Sequence, residues 1–247
     1  MFKRIIVLAL LLLMVSPSYS QKKNSGTVAS KDTVFNSGVI SGFTFRSIGP
    51  AVTSGRVSDV EVNPNNINEY YVAAASGGVW KTTNAGITYS PVFDKEGSYS
   101  IGCVTIDPNN TNIVWVGTGE NNNQRSVAYG DGVYKSEDGG KSWKNVGLKN
   151  SEHTGMIVVD PSNSDVVYVA AYGPLWSAGG DRGIYKTTDG GKTWKNILSV
   201  SEHTGCNEIH MDPRNSSVLY ATAHQRRRQG FTYISGGPES GIYKSII

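Results

Sequence analysis

The sequence predicts an all-β fold of repeated four-strand units, and three observations carry that prediction. The 247 residues include 29 glycines, 13 tyrosines and 5 tryptophans, a composition suited to short strands and tight turns. No unit shows a 3.6-residue apolar period, so arrays of helices fit poorly. Short apolar runs recur in one order four times. Each first run ends in Asn/Asp-Pro, at Asn63-Pro64, Asp107-Pro108, Asp160-Pro161 and Asp212-Pro213, with spacings of 44, 53 and 52 residues.

Each element has a local reason. Proline cannot donate to a ladder and Asn/Asp favours turns, so the Asn/Asp-Pro step ends a first strand and reverses the chain. A second apolar run follows at Tyr70 to Ala75, Ile113 to Gly117, Val166 to Ala171 and Val218 to Ala223. The third runs are Gly78-Val79-Trp80-Lys81, Gly132-Val133-Tyr134-Lys135, Gly183-Ile184-Tyr185-Lys186 and Gly241-Ile242-Tyr243-Lys244. A fourth short strand starts at Tyr89, Trp143 and Trp194. Four short strands per unit describe the blades of a β-propeller, each of which buries its faces against its neighbours. The expected blades are about 54–97, 98–150, 151–200 and 201–247, the last one incomplete. The expectation is a partial propeller over 38–247, truncated after about three and a half blades, whose further C-terminal blades are its missing partner.

Residues 1–20 read as a secretory signal peptide: Lys3 and Arg4, then the apolar run Ile5 to Val15, then small residues before a cut at Gln21. Eleven apolar residues are too few to span a bilayer, which needs about 20, so no transmembrane segment is expected. Residues 21–37 are polar and Gly/Ser-rich and read as a disordered linker. The expected location is secreted, outside the cytoplasm. Lys3 and Arg4 are two of the 23 basic residues; the other 21 face 20 acidic ones, so no global field steers nucleic acid or anionic lipid. Cys103 and Cys206 occupy matching positions in non-adjacent units and are expected as buried free thiols.

Between third and fourth strands lies the most specific motif, Ser136-Glu137-Asp138-Gly139-Gly140-Lys141-Ser142-Trp143. It returns as Thr187-Thr188-Asp189-Gly190-Gly191-Lys192-Thr193-Trp194 and, degenerate, as Thr82-Thr83-Asn84-Ala85-Gly86-Ile87-Thr88-Tyr89. It resembles the Asp box, or BNR repeat. The Asp accepts bonds from turn N–H groups, the glycines supply positive φ, and the Trp packs its ring into the blade. Asp138, Trp143, Asp189 and Trp194 are therefore structural rather than catalytic, and the resemblance places such turns away from the ligand face.

Ligand chemistry is expected in the long loops between second and third strands. They carry Glu120, Arg125, Tyr129 and Asp131 in the second unit, Tyr172, Trp176, Asp181 and Arg182 in the third, and Arg226, Arg227 and Tyr233 in the fourth. Aromatic planes beside charged groups suit a sugar or a peptide; packed and solvated loops are the alternative. The His153 and His203 loops lack a known ligand spacing, so no metal and no cofactor are expected. Nucleic acid is not an expected partner, because the arginine run lacks aromatic interleaving.

From about Phe43 to Lys244 the chain resembles exported bacterial Asp-box propellers described as sortilin-like or glycosyl-hydrolase-like. The residues that carry this are Phe45-Arg46-Ser47-Ile48-Gly49-Pro50, Ser54-Gly55-Arg56-Val57, Gly117-Thr118-Gly119-Glu120 and Gln225-Arg226-Arg227-Arg228. The sortilin branch implies peptide binding. The xyloglucan-cleaving branch implies a catalytic Asp in Thr-Asp-x-Gly-Gly-x-Tyr-Arg, where this chain has Ala75 in Ala74-Ala75-Ser76-Gly77-Gly78-Val79-Trp80-Lys81. Alanine cannot protonate a leaving group. Arg46 resembles the sialidase Phe/Tyr-Arg-Ile-Pro arginine, with insertions that break the match. The preferred expectation is a module that binds a glycan or a peptide. The alternative is a glycoside hydrolase acting on glycans whose catalytic carboxylates lie partly in the missing blades, with Glu120, Asp131 and Asp181 as the carboxylates to examine here.

Overall fold

The structure, a computed structural model, describes Gly42 and residues 55–122 and 127–246. The expected signal peptide and linker, Arg46 and Arg125 lie outside the described residues. All the sheets belong to the compact unit Ile48–Ile247.

Four antiparallel four-stranded sheets follow one another as blades. Blade 1 holds β1 (Val57–Val62), β2 (Tyr70–Ala74), β3 (Gly78–Thr82) and β4 (Ser90–Pro91). Blade 2 holds β5 (Ile101–Ile106), β6 (Val114–Thr118), β7 (Val133–Ser136) and β8 (Lys144–Gly147). Blade 3 holds β9 (Thr154–Asp160), β10 (Asn163–Ala171), β11 (Gly183–Thr187) and β12 (Lys195–Leu198). Blade 4 holds β13 (Thr204–Asp212), β14 (Asn215–Arg228), β15 (Tyr233–Ser235) and β16 (Gly241–Ile246), with β16 paired to β14. The first strands β1, β5, β9 and β13 pack side by side in that order.

The core lies between blades, which explains the sequence pattern. Side chains alternate across a strand, and both faces of a middle blade are covered. Val114 and Val116 of β6 pack toward blade 1 with Tyr71, Val79 and Phe93. Trp115 between them packs toward blade 3 with Ile157, Val167 and Val169. In β10, Val167 and Val169 join that cluster, and Tyr168 and Ala170 face Ile209, Leu219 and Ala221 of blade 4. Strands buried on both faces read as continuous apolar runs. Cys103 and Cys206 belong to different clusters and are buried free thiols. Burial pushes the Cys206 thiol up to about 12.

The Asn/Asp-Pro steps fold alike in all four blades. The side-chain oxygens of Asn63, Asp107, Asp160 and Asp212 accept the N–H two residues on, at 2.8–2.9 Å. Three residues later, Asn66, Asn110, Asn163 and Asn215 repeat the bond. These are Asx turns in tandem.

The Asp-box hairpins stand beside these turns, since Gly139 and Gly190 donate to Asn112 and Asp165 carbonyls. Asp138 Oδ1 accepts from Lys141 and Ser142 N–H at 2.9 Å, and its Oδ2 takes the Ser142 hydroxyl at 2.6 Å. Asp189 repeats the set with Lys192 and Thr193. These bonds hold the Asp138 carboxyl down at about 2. The tryptophans differ from expectation, because each ring crosses to the preceding blade. Trp143 lies edge-on to Phe93, 5.2 Å between centroids, and donates Nε1–H to the Val92 carbonyl at 2.7 Å. Trp194 packs edge-on to Trp115 and donates to the Val146 carbonyl at 2.8 Å.

In the degenerate box, Ala85 holds φ 56°, where Gly139 and Gly190 have φ 70° and 69° in the other two. A Cβ in that region costs roughly 1 kcal/mol. Ala85→Gly is expected to stabilise the protein by about 0.5–1 kcal/mol, read as a higher denaturation midpoint. An unchanged or lower midpoint would contradict this.

A second contact between blades uses carboxylates. Val104 N–H of β5 donates to Asp59 Oδ2 at 3.0 Å, and Ile106 N–H donates to Glu61 Oε1 at 3.3 Å. Alternate N–H groups of β5 are thereby covered from β1. Burial pushes Glu61 up to about 7, with the Asp59 charge adding to it against the pull of the Ile106 N–H. A carboxyl raised on folding weakens the fold as pH climbs from its ordinary 4.5 to about 7. Glu61→Gln keeps the acceptor and removes the charge. It is expected to stabilise the protein by about 1 kcal/mol at pH 8, after allowance for screening, and to leave stability at pH 4 unchanged. Equal effects at both pH values would refute that origin.

The fourth blade corrects one expectation. Arg226, Arg227 and Arg228 are not in a loop. They extend β14 to 14 residues and pair with β15, in the register Arg226↔Ser235, Arg227↔Ile234 and Arg228↔Tyr233.

Candidate functional site

The blades have two distinct ends. One carries the Asn/Asp-Pro turns and the Asp boxes. The other joins the lead-in segments of the first strands to the long loops between second and third strands. There Gly130 and Gly179 N–H donate to the Glu152 and Glu202 carbonyls, and Asp181 N–H donates to the Asn150 carbonyl.

A cluster forms at this loop end between blades 3 and 4. The Tyr172 backbone is fixed by its N–H bond to the His153 carbonyl. Its hydroxyl is hydrogen-bonded to His224 Nδ1, and the Arg226 guanidinium lies 3.8 Å from its ring centroid. Arg226 Nη1 donates to the Asn122 carbonyl at 2.9 Å, which reaches into blade 2. Arg228 sits 5.7 Å from the Trp176 ring and 5.6 Å from that of Tyr233, and its N–H donates to the Leu175 carbonyl. Arg182 ties the third loop together by donating to the carbonyls of Tyr172, Pro174, Ser177 and Gly179. Thus Tyr172, Trp176, Arg182, Arg226, Arg227 and Tyr233 share one region. Tyr129 stands apart, 70% exposed, in a 310 Å³ pocket with Tyr99 and Asp131.

The electrostatics of this end are one-sided. Arg226 and Arg182 are buried, at 1% and 4% exposure. Burial, then the neighbouring Arg227 and Arg226 charges, draws Arg182 down to about 10. Burial, then repulsion by Arg226 and Arg182, lowers His153 to about 3 and keeps it neutral. His224 is lowered by burial and then by Arg226. Burial raises Tyr172 to about 12, against the pull of Arg226 and Arg182.

The three carboxylates singled out from sequence are each engaged locally. Glu120 is 2% exposed, ion-paired to Arg56 and bonded by the Asn122 amide. Asp131 accepts the Tyr134 hydroxyl at 2.6 Å and the Thr118 hydroxyl at 3.3 Å. Asp181 accepts the Asn150 N–H at 3.0 Å. Ala75, where the xyloglucan-cleaving pattern has Asp, is fully buried, and its N–H donates to the Arg56 carbonyl. A 540 Å³ groove runs along the first strands, past Asp59, Glu208 and His210, to Asn122, Tyr172 and His224. Asp59 is raised by burial, against two backbone N–H bonds. Sequence reading did not single out Arg56, Asp59, Asn122 or His224 as site residues. Only the alternation of β14, hidden in three consecutive arginines, could have separated Arg226 and Arg228 from Arg227. Among the described residues no helix is long and apolar enough to cross a membrane, and no group of His, Cys, Asp and Glu could hold a metal.

Known proteins resemble this arrangement. A family model described as Sortilin, neurotensin receptor 3 (Sortilin-Vps10) matches residues 131–237. A xyloglucanase of Hypocrea jecorina is 23% identical over 223 residues, 81% of this chain and 25% of that protein. A probable oligoxyloglucan-reducing end-specific xyloglucanase of Neosartorya fischeri is 31% identical over 99 residues, 38% of this chain and 10% of that protein. The crystal structure of an ancestral GH74 enzyme superposes with a TM-score of 0.57 at 27% identity, covering 72% of this chain and 23% of that one. The GH74 xyloglucanase of Xanthomonas campestris gives 0.56 at 20% identity, covering 78% and 29%. The chain thus spans a quarter or less of the curated relatives' length. Four-stranded blades, Asp-box hairpins and these likenesses together make the chain an Asp-box β-propeller that resembles the sortilin-like, glycosyl-hydrolase-like family.

Proposed function

We propose that this chain is the ligand-recognising part of an exported propeller that binds a glycan or a peptide at its loop end. The observation that carries this reading is the cluster of Tyr172, Trp176, Arg226, Arg228 and Tyr233, where guanidinium groups stack on aromatic faces. Such rings offer apolar planes to sugar rings or side chains, and the polar edges orient hydroxyls or backbone. The carboxylates of the nearby loops are engaged in ion pairs and hydrogen bonds within the fold. The chain also has no carboxyl at position 75. The test is a glycan and peptide array on the protein, with reducing-sugar release measured in parallel. Binding without release supports the reading, and release of sugar would overturn it.

One observation favours a second reading. Asp59, raised by burial, and Glu208 both line the groove that leads to the cluster, and a glycosidase needs two carboxyls at its sugar site. Asp59→Asn would then abolish sugar release, whereas under the binding reading there is no release to lose.

A further inference from the structure

The loop-end cluster holds more positive charge than its own fold neutralises. Among the described residues, Arg182, Arg226, Arg227 and Arg228 form no ion pair, while Arg56 and Arg214 each have a carboxylate partner. Arg182 gives four of its five N–H groups to carbonyls. Arg226 does not. One face of its guanidinium lies on Tyr172 and Nη1 is bonded to Asn122, but Nη2 is buried and has no partner. Arg227 Nε and Nη1, Arg228 Nε and His153 Nδ1 are buried and unpartnered as well. Buried charges are ordinarily paired, because taking an ion from water without a partner costs several kcal/mol.

We infer that the ligand of this end is an acidic glycan, whose uronate carboxylate docks on the half-buried Arg228, with the buried charge of Arg226 in the same cluster. This rests on the binding reading above and narrows its ligand. A planar guanidinium stacked on a ring keeps its edge free, and that edge matches a carboxylate in two parallel hydrogen bonds. A uronate carries its carboxylate directly on a pyranose ring. The carboxylate therefore meets the arginine edge while the C–H face of the sugar reaches an aromatic plane. Trp176, 53% exposed, and Phe231, 89% exposed, supply such planes beside Arg228 and at the tip of the β14–β15 ribbon. His153, held neutral by burial and then by its arginine neighbours, adds no competing charge. A peptide offers a carboxylate too, but only at its end or on flexible side chains. It lacks the rigid ring that an aromatic face such as that of Trp176 fits.

The test is calorimetric titration of the protein with four probes: trigalacturonate, a neutral xyloglucan oligosaccharide, a short peptide with a free C-terminal carboxylate, and sodium acetate. Trigalacturonate is expected to bind at least tenfold more tightly than the other three. Arg228→Gln, at a half-buried position, is expected to weaken it about tenfold, as loss of a charged hydrogen bond does, while the melting temperature stays within a few degrees. Preference for the neutral oligosaccharide or the peptide overturns the inference and leaves the binding reading standing. Equal trigalacturonate affinity in a folded Arg228→Gln variant also overturns it. Binding of none of the probes, and of nothing on the array, overturns both.

Discussion

Gly155→Ala is expected to destabilise the protein by at least about 4 kcal/mol, a size reserved for a few mechanisms such as severe overpacking. A Cβ at Gly155 would lie 2.0 Å from the Asn207 carbonyl oxygen and 2.6 Å from its carbon. Those atoms are backbone of β13 in the next blade, so no rotamer change relieves the clash. The Gly155 carbonyl also accepts the Asn121 amide at 2.8 Å, which ties blade 2 to the same point. To accept a methyl group, blades 3 and 4 must separate along the cluster of Tyr168, Ile184, Ile209 and Leu219. The same position recurs as Gly102, 2.0 Å from the Thr154 oxygen, and Gly205, 1.9 Å from that of Tyr172. Gly230 has nothing within 4 Å, so Gly230→Ala is expected to stay within about 0.5 kcal/mol of the parent. Thermal unfolding followed by circular dichroism reads both. A Gly155→Ala protein that melts with the parent would mean the first strands are not packed this closely.

Trp194→Ala is expected to cost about 2–3 kcal/mol, below the range for a fully buried tryptophan because the ring is half-buried. The ring fills the contact between its own hairpin and the preceding blade, against Trp115 and the Val146 carbonyl. Trp194→Phe keeps most of that area and removes the Nε1–H donor, at a cost of about 1 kcal/mol. The ordering Ala below Phe below parent, in chemical denaturation, separates packing from hydrogen bonding. If the Asp-box tryptophan served only its own turn, both variants would melt close to the parent.

Strands and turns were legible because their causes are local. An Asx turn needs one side chain and a backbone N–H two residues away, and the Asp box closes its own bonds within eight residues. The apolar runs of β6 and β10 announced burial on both faces for the same reason. What lay between blades was not legible. The direction of the Trp143 and Trp194 rings, the Glu120 pair with Arg56, and the reach of Asp59 and Glu61 to β5 all depend on how one blade sits against the next. The arginine run was read as a loop because three identical residues show no alternation; pairing with β15 made it a ribbon. Of the site residues proposed from sequence, Tyr172, Trp176, Arg182, Arg226, Arg227 and Tyr233 meet in one cluster at the loop end, and Tyr129 lies in a separate pocket beside Tyr99 and Asp131.

The separation of ends is the central claim: Asp boxes build the fold at one, and recognition occupies the other. Hydrogen–deuterium exchange of the protein, with and without a saturating oligosaccharide that binds it, tests this most directly. Protection is expected in 172–182 and 224–235, with unchanged exchange in the box hairpins 136–143 and 187–194. Protection of those hairpins, with none in the loop-end segments, would contradict the account.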